Sequence, residues 1–298
     1  AGRAEAGLPA DEICGAFGVR LAFGLGRRGA LAATPARLDL DASVHLDRVP
    51  AFCQASASIK DEVLAACAHN LLAEAWCIEQ RGISYCSAMA KQVESNEERE
   101  LFVQIGADES QHAAWLAPWM LRSPETDPFS RFIDGLLEAG SPQTLSFLLQ
   151  VVLEGFGITH YQSLAAGCRD AALAQTLRRL SLDEALHHAG GLLVFEPNRL
   201  TTAERRFVSD GAYAFLQMIR VGPQAVVSAL AKQVGTSAVG DLAGVFTALD
   251  SQATGAAKLA RLRKLIALPG MTWLAAQLDA AGAFTPCTPT QCARQFLS

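Results

Sequence analysis

Three features are scarce or missing in this 298-residue sequence, and each argues against a class of protein. No CxxC pair occurs among the eight cysteines, so a rubredoxin-type or zinc-ribbon site is absent. Neighbouring Lys and Arg residues form pairs rather than runs and the formal net charge is −5, so we expect no nucleic-acid partner. Aromatic residues make up only 7%, while Ala and Leu dominate, which favours helices over a β-sandwich.

Long hydrophobic runs are also missing. The most apolar run, from Leu145 to Leu153, is short and ends at Glu154. A transmembrane helix needs about 20 apolar residues, so we expect no membrane span. The first residues lack the apolar middle of a signal peptide, and we therefore expect a cytoplasmic protein with reduced thiols. Cys287 and Cys292 leave two options open, a disulfide or no bond.

Helical periodicity and capping signals predict an all-α chain with four long helices and further C-terminal helices. We expect an irregular segment at 1–55, a bundle at 56–196, and a helical extension packed on it at 197–298. In the first segment, apolar and polar residues alternate at 19–25 and 38–46, which is compatible with a short strand or hairpin. The four bundle helices are predicted at 58–93, 95–118, 142–166 and 170–195. A long crossover at 122–141 joins the second to the third. The later helices are predicted at 201–221, from 223 onward, and near 240–267 and 271–281.

A short acidic motif that ends in histidine occurs twice, seventy-five residues apart, at 108–112 and 183–187. Each copy reads Asp-Glu-x-x-His, which places the glutamate and the histidine on one helix face. A lone glutamate lies thirty residues before each motif glutamate, at Glu79 and Glu154. Two copies at a matched offset are a far stronger signal than one, because a single such motif arises easily by chance.

This pattern resembles the ferritin-like di-iron carboxylate proteins, whose four-helix bundles have a long crossover between helices two and three. The resemblance covers about residues 60–195. It implies a cofactor of two Fe ions, with Mn or mixed Mn/Fe as an option for the same donors. Glu109 and Glu154 are candidates to bridge the ions. It implies that one ion binds Glu79, Glu109 and His112, and the other Glu154, Glu184 and His187.

The aspartates that precede the motif glutamates place the chain closer to the oxygenase and oxidase branch than to storage ferritins. In that branch similar aspartates hold the histidine of the opposite half, which implies pairs of Asp108 with His187 and of Asp183 with His112. Two further polar residues, Tyr85 and His160, occupy matched positions of the repeat. Each is a candidate extra ligand, proton donor or redox-active group, or a packing residue.

Several functions are compatible with this ligand set. The first is a non-haem di-iron enzyme that uses O2 to oxidise a small, largely apolar substrate, with an external electron donor and a homodimer as one option. The alternatives are iron oxidation or peroxide detoxification as in ferritin, rubrerythrin or manganese catalase, and a bundle that has lost its metal. Burying so many carboxylates without a cation is costly, which argues against the last alternative.

Overall fold

A computed structural model describes residues 45–120, 128–235 and 238–298. All regular secondary structure in these ranges is helical, and the ranges contain no β-strand. This confirms the all-α expectation for this part of the chain. The strand or hairpin predicted at 19–25 and 38–46 lies outside the described residues, except for its last two positions. There the chain enters a short 3-10 helix, Leu46–Arg48.

The first half of the repeat forms a helical hairpin. A short helix α1, Pro50–Gln54, precedes the long helix α2, Ala57–Gln92. The hydroxyl of Ser95 accepts a hydrogen bond from the backbone N–H of Glu98 at 3.0 Å and caps α3, Asn96–Leu116. Only a short turn joins α2 and α3, so they pack against each other along their lengths.

The second half forms a matching hairpin after a short helix in the crossover, α4, Pro128–Ala139. The helix α5 covers 142–166 and ends at Gly167. The carboxylate of Asp170 accepts hydrogen bonds from two backbone N–H groups and caps α6, Ala171–Val194. These spans agree with the predicted helices to within two residues.

The middle of α5 departs from regular α-helix. Residues Ser146–Glu154 form a π-helix, in which hydrogen bonds run from i to i+5 and the helix widens. The ring Nδ1 of His188 lies 2.9 Å from the carbonyl oxygen of Val151, so α6 provides a partner for a carbonyl of the widened segment. Glu154 ends this segment, at the level of the polar cluster described below.

The described part of the last hundred residues contains six α-helices. Their bounds are α7, Thr202–Arg220; α8, Gln224–Val234; α9, Val239–Ala248; α10, Ser251–Ile266; α11, Thr272–Ala280; and α12, Pro289–Phe296. The helix α8 packs on α2, and α10 packs on α5. By length and composition alone, Thr202–Val234 could cross a membrane, a test that core helices of soluble proteins also pass. Gly222, with φ of 77°, divides this stretch into α7 and α8.

Two apolar clusters fill the interior, and a polar layer separates them. The first cluster includes Leu72 of α2, Leu116 of α3 and Leu180 of α6. The second includes Met89 of α2 and Phe102 of α3, together with residues of α5 and α7. The positions between the two clusters on α2, α3, α5 and α6 are those of the predicted metal ligands.

Candidate metal centre

Four helices place carboxylates and imidazoles in the polar layer. The side chains on α2, α3 and α6 are buried, and the one on α5 is partly exposed. They form two groups. Within each group the donor atoms lie within 4.8 Å of one another, so each group could hold a metal ion. The first metal group is Glu79, Glu109, His112 and Glu184, and the second metal group is Glu109, Glu154, Glu184 and His187.

The two groups share Glu109 and Glu184. Sharing by carboxylates is what a pair of neighbouring cations requires, because one carboxylate has two oxygens and can face both. The sequence pattern suggested Glu154 as the second bridging candidate, but the structure places Glu154 in the second metal group alone. The difference arises because the motif glutamates of α3 and α6 face each other across the centre, while Glu154 lies to one side of them.

His112 is held by carboxylates on both ring nitrogens. Its Nδ1 lies 3.0 Å from Oε2 of Glu79, and its Nε2 lies 3.3 Å from Oδ2 of Asp183. Asp183 is a buried residue of the opposite hairpin. Carboxylates at both nitrogens raise the pKa of His112 although burial acts to lower it. A metal that displaced the Nδ1 proton would leave the Nε2 proton bonded to Asp183.

His187 has the corresponding arrangement. Its Nδ1 lies 3.0 Å from Oε1 of Glu109 and 3.4 Å from Oε2 of Glu184. Its Nε2 lies 3.5 Å from Oδ2 of Asp108, whose side chain is 43% exposed. The structure thus brings each aspartate to the histidine of the other hairpin, the pairing that the resemblance implies.

The donor atoms themselves indicate that a cation fits the centre. Oε1 of Glu109, Oε2 of Glu184 and Nδ1 of His187 are buried without a hydrogen-bond partner among the described residues. Two of these atoms lie 3.0 Å apart but are not aligned for a hydrogen bond. Lone pairs that converge without bonding one another suit a shared ion, and leaving them buried and unpaired is costly.

Electrostatics leads to the same conclusion. Burial raises the pKa of Glu109 well above its usual range, and the charge of Glu79 adds to the effect. Burial likewise raises the pKa of Glu154 well above its usual range and that of Glu184 above its own. Burial also acts to raise the pKa of Glu79, but the hydrogen bond with His112, the charge of His112 and the hydrogen bonds with Glu109 and Tyr161 together outweigh it and lower that pKa. Without a cation the cluster retains protons that a metal ion would displace.

Tyr161 was not among the residues that the sequence singled out. Its hydroxyl donates a hydrogen bond to Oε1 of Glu79, on the side away from His112. This bond fixes the rotation of the Glu79 carboxylate. Tyr161 is seven residues after Glu154, two helical turns along the same face of α5, and that spacing could have identified it.

Tyr85 and His160, the two candidates from matched repeat positions, take no part in the hydrogen bond between Tyr161 and Glu79. Tyr85 is buried and donates a hydrogen bond to Oε1 of Gln150 at 2.9 Å. His160 has a buried Nε2 without a hydrogen-bond partner among the described residues, and burial lowers its pKa to about 4. Neither belongs to a metal group.

Gln150, which accepts the hydrogen bond from Tyr85, is, after Tyr161, a second residue that the sequence did not single out. Its side chain lies against Gly191.

The two matched glycines have different surroundings. A Cβ at Gly82 would lie 2.7 Å from Cδ of Glu109, so the absence of a side chain lets α2 approach this ligand closely. A Cβ at Gly157, one turn after Glu154, would meet nothing within 4 Å. Gly82 is thus closely packed against a carboxylate that both metal groups share, whereas Gly157, on the helix that carries Glu154, has open space beside it.

The described cysteines take no part in the centre. Among the described residues none of the seven forms a disulfide, and five of them, Cys67, Cys77, Cys86, Cys287 and Cys292, are buried. Burial raises the pKa of the Cys67 thiol to about 12, so this sulfur stays protonated near neutral pH. The structure brings a carboxylate and imidazole cluster together and leaves the thiols as packing groups.

The chain was compared with models of known protein families, with curated proteins and with solved structures. No family model matches it, and neither a curated protein nor a solved structure does. The described residues form a helical protein with a buried glutamate and histidine cluster that could hold metal.

Proposed function

We propose that α2, α3, α5 and α6 form a ferritin-like four-helix bundle that holds two metal ions and uses them to oxidise a small organic substrate with O2. One observation carries the proposal. Both histidines turn Nδ1 to the carboxylate cluster and Nε2 to an aspartate of the opposite hairpin. Two crossed pairs of this kind position both imidazoles as metal ligands.

Iron is the proposed metal, with manganese or a mixed pair as the variants that the same donors permit. Carboxylate oxygens and imidazole nitrogens suit divalent iron and manganese, and the buried thiols keep out of the centre. Two bound ferrous ions would supply two of the four electrons that O2 takes up, and the oxidised substrate would supply the other two. An external donor would then return the iron to the ferrous state, because no cysteine pair of a rubredoxin site occurs in the chain.

The protein's own part is to hold the ligands and to keep water out. The two apolar clusters enclose the polar layer from both ends of the bundle. Tyr161 and Asp183 fix the orientations of Glu79 and His112 in the first metal group. Because there is space beside Gly157 and Glu154 is partly exposed, we propose that O2 and substrate approach at the second metal group.

The test is to load the reduced protein with iron in the absence of oxygen and then to mix it with O2. We expect O2 uptake and an optical change in proportion to the bound iron, and product from a panel of small apolar substrates when a reductant is present. Glu109→Gln, which alters a carboxylate of both metal groups, is the control without the centre. Release of O2 from peroxide by manganese-loaded protein, with no reaction of the iron form, would favour catalase chemistry instead. Iron uptake far beyond two ions per chain would favour storage.

A further inference from the structure

His160 is a polar residue of the bundle that belongs to neither metal group. Its Nε2 is buried without a hydrogen-bond partner among the described residues, although the residue as a whole is half-buried. Burial and the charge of Lys258 lower the pKa of His160 to about 4, so the imidazole is neutral near pH 7. A neutral imidazole with its proton on Nε2 is a hydrogen-bond donor, and a buried donor of this kind suits an acceptor that a ligand supplies.

One ridge of α5 leads from His160 to the metal centre. Glu154, Gly157 and His160 follow one another at intervals of three residues, which places them in one such row on the helix surface. All three are half-buried, and a Cβ at Gly157 would meet nothing within 4 Å. At about 1.5 Å per residue, His160 lies roughly 9 Å along the helix from Glu154. The ridge therefore gives an open path of that length between His160 and the second metal group.

The helix α2 forms the other wall of this path. A hydrogen bond from Tyr161 to Glu79 connects α5 to α2, but the two helices pack less closely than either does with its hairpin partner. They run antiparallel, because each hairpin reverses the chain and α3 and α6 are themselves antiparallel. Glu74, five residues before Glu79, is therefore on the His160 side of the centre. We call the space between Gly157, His160 and Glu74 the α2–α5 groove.

The helix α10 brings a positive charge to the α2–α5 groove. Arg261 donates a hydrogen bond to the carbonyl oxygen of Gly155 at 3.2 Å, which fixes the register of α10 on α5. Lys258 is one turn before Arg261, and its charge acts on His160. Lys258 is exposed to water, yet its ammonium is surrounded by enough protein that burial lowers its pKa, while the charge of Glu74 acts to raise it. Lys258 thus lies near both walls of the groove.

We propose that the α2–α5 groove binds the carboxylate of an apolar organic acid through the ammonium of Lys258 and Nε2 of His160, with the apolar chain directed past Gly157 toward the second metal group. Hydrogen bonds to a carboxylate are stronger than those between neutral groups, so both donors recognise this head group. Lys258 supplies one positive charge and Glu74 a negative one, so a monoanion fits better than a phosphate dianion. The direction of the chain rests on the proposed function, whereas binding of the acid needs no metal.

Calorimetric titration of the full chain with octanoate tests the site. Metal-free protein is used first, so that the carboxylate has no metal ion to bind. We expect octanoate to bind, and octanol and octylamine, which have the same chain length, to bind about tenfold more weakly or worse. Equal binding of octanol would mean that the groove recognises only the apolar chain, and tighter binding of octylamine would assign the head group to Glu74. Either result overturns the proposal, as does a failure of both octanoate and dodecanoate to bind.

Variants of one side chain test the proposed contact. Lys258→Gln removes the charge and should weaken octanoate about tenfold while leaving octanol unchanged. Lys258→Arg keeps the charge and should restore most of the affinity. Lys264→Gln, at an exposed position further along the same helix, is the matched control and should bind octanoate like the wild type. Equal octanoate affinity in Lys258→Gln and Lys264→Gln overturns the proposal, and helical circular dichroism checks that each variant is folded.

The iron-loaded protein separates this proposal from the proposed function. If octanoate binding depends on Lys258 but the iron form takes up no O2, the carboxylate site stands and the oxygenase proposal fails. If the iron form takes up O2 but Lys258→Gln binds octanoate like the wild type, the carboxylate site fails and the oxygenase proposal stands. We expect unchanged metal content in Lys258→Gln, because this residue lies outside both metal groups.

Discussion

The two metal groups use the same types of residue but differ in how firmly the protein holds them. In the first metal group, Glu79 accepts a hydrogen bond from Tyr161, and the partner aspartate of His112 is buried. In the second, Glu154 is partly exposed, and the partner aspartate of His187 is 43% exposed. The repeat thus supplies two copies of one ligand pattern, and the surroundings make one copy rigid and the other accessible.

The largest expected effect comes from a carboxylate that both groups share. Glu109→Gln keeps the size of the side chain but removes its charge, so both ions lose a ligand and the metal content should fall from two per chain to nearly none. The measurement is elemental analysis after reconstitution with iron. Glu97→Gln, an exposed position on the same helix, should keep two ions. Equal metal content in the two variants would show that Glu109 is not a shared ligand.

Removing one histidine should abolish metal binding in its own metal group and leave the other group able to bind an ion. We expect His112→Ala and His187→Ala each to retain about one ion per chain, because each imidazole belongs to a single group. The ion left in His187→Ala sits in the closed first group and should leave to a chelator more slowly than the ion left in His112→Ala. Release rates followed by absorbance check this order. The reverse order would mean that exposure does not govern access.

The matched glycines sharpen the same contrast. Gly82→Ala brings a methyl group against Glu109, so we expect a loss of about 1–3 kcal/mol in the free energy of unfolding and weaker metal binding. Gly157→Ala meets open space, so the better helix propensity of alanine should add about 0.5–1 kcal/mol. Urea unfolding of both variants measures the difference. Similar costs at the two positions would contradict the asymmetry.

Much of this arrangement was predictable from the sequence, because spacing determines which residues share a helix face. The helix spans followed from capping residues such as Ser95 and Thr201, and the all-α class from composition. The π-helix at Ser146–Glu154 was not predictable, since no residue type marks it. It widens α5 before Glu154, and α5 is regular α-helix from Gly155 onward. The matched repeat positions pointed to Tyr85 and His160, whereas helical spacing from Glu154 favours the next residue, Tyr161.

Removing the charge of the buried Asp183 should weaken metal binding more than removing the charge of the partly exposed Asp108. Asp183→Asn weakens a buried pair with His112, and we expect metal affinity to fall about 10- to 100-fold. Asp108→Asn weakens a pair that water already reaches, so its effect should be under about tenfold. Competition with a fluorescent chelator gives both values. An equal loss in the two variants would mean that burial does not set the strength of these pairs.

The smallest expected effect is a change of stability with pH in the metal-free protein. Burial holds the pKa values of Glu109, Glu154 and Glu184 above the ordinary value of 4.5. The folded state then binds more protons than the unfolded state, so stability is greatest below that value and falls as pH rises through the raised values. Burial acts to lower the pKa of His187, but the nearby carboxylates of Asp108, Glu109 and Glu184 outweigh it and raise that pKa, which acts in the same direction, while the lowered pKa of Glu79 opposes them.

Thermal melts at about pH 5 and pH 8 check this prediction. The metal-free protein should have the lower Tm at pH 8, and bound metal should reduce the difference because it replaces the protons. A metal-free Tm that rises with pH would show that Glu79 outweighs the other groups.

The count of iron ions bound per chain tests the central claim most directly. Anaerobic titration of the full chain, followed by removal of free metal and elemental analysis, should give two ions per chain that bind in two steps, with the more slowly released ion in the first metal group. Retention of no metal under these conditions, or a single ion unaffected by both His112→Ala and His187→Ala, would contradict the account.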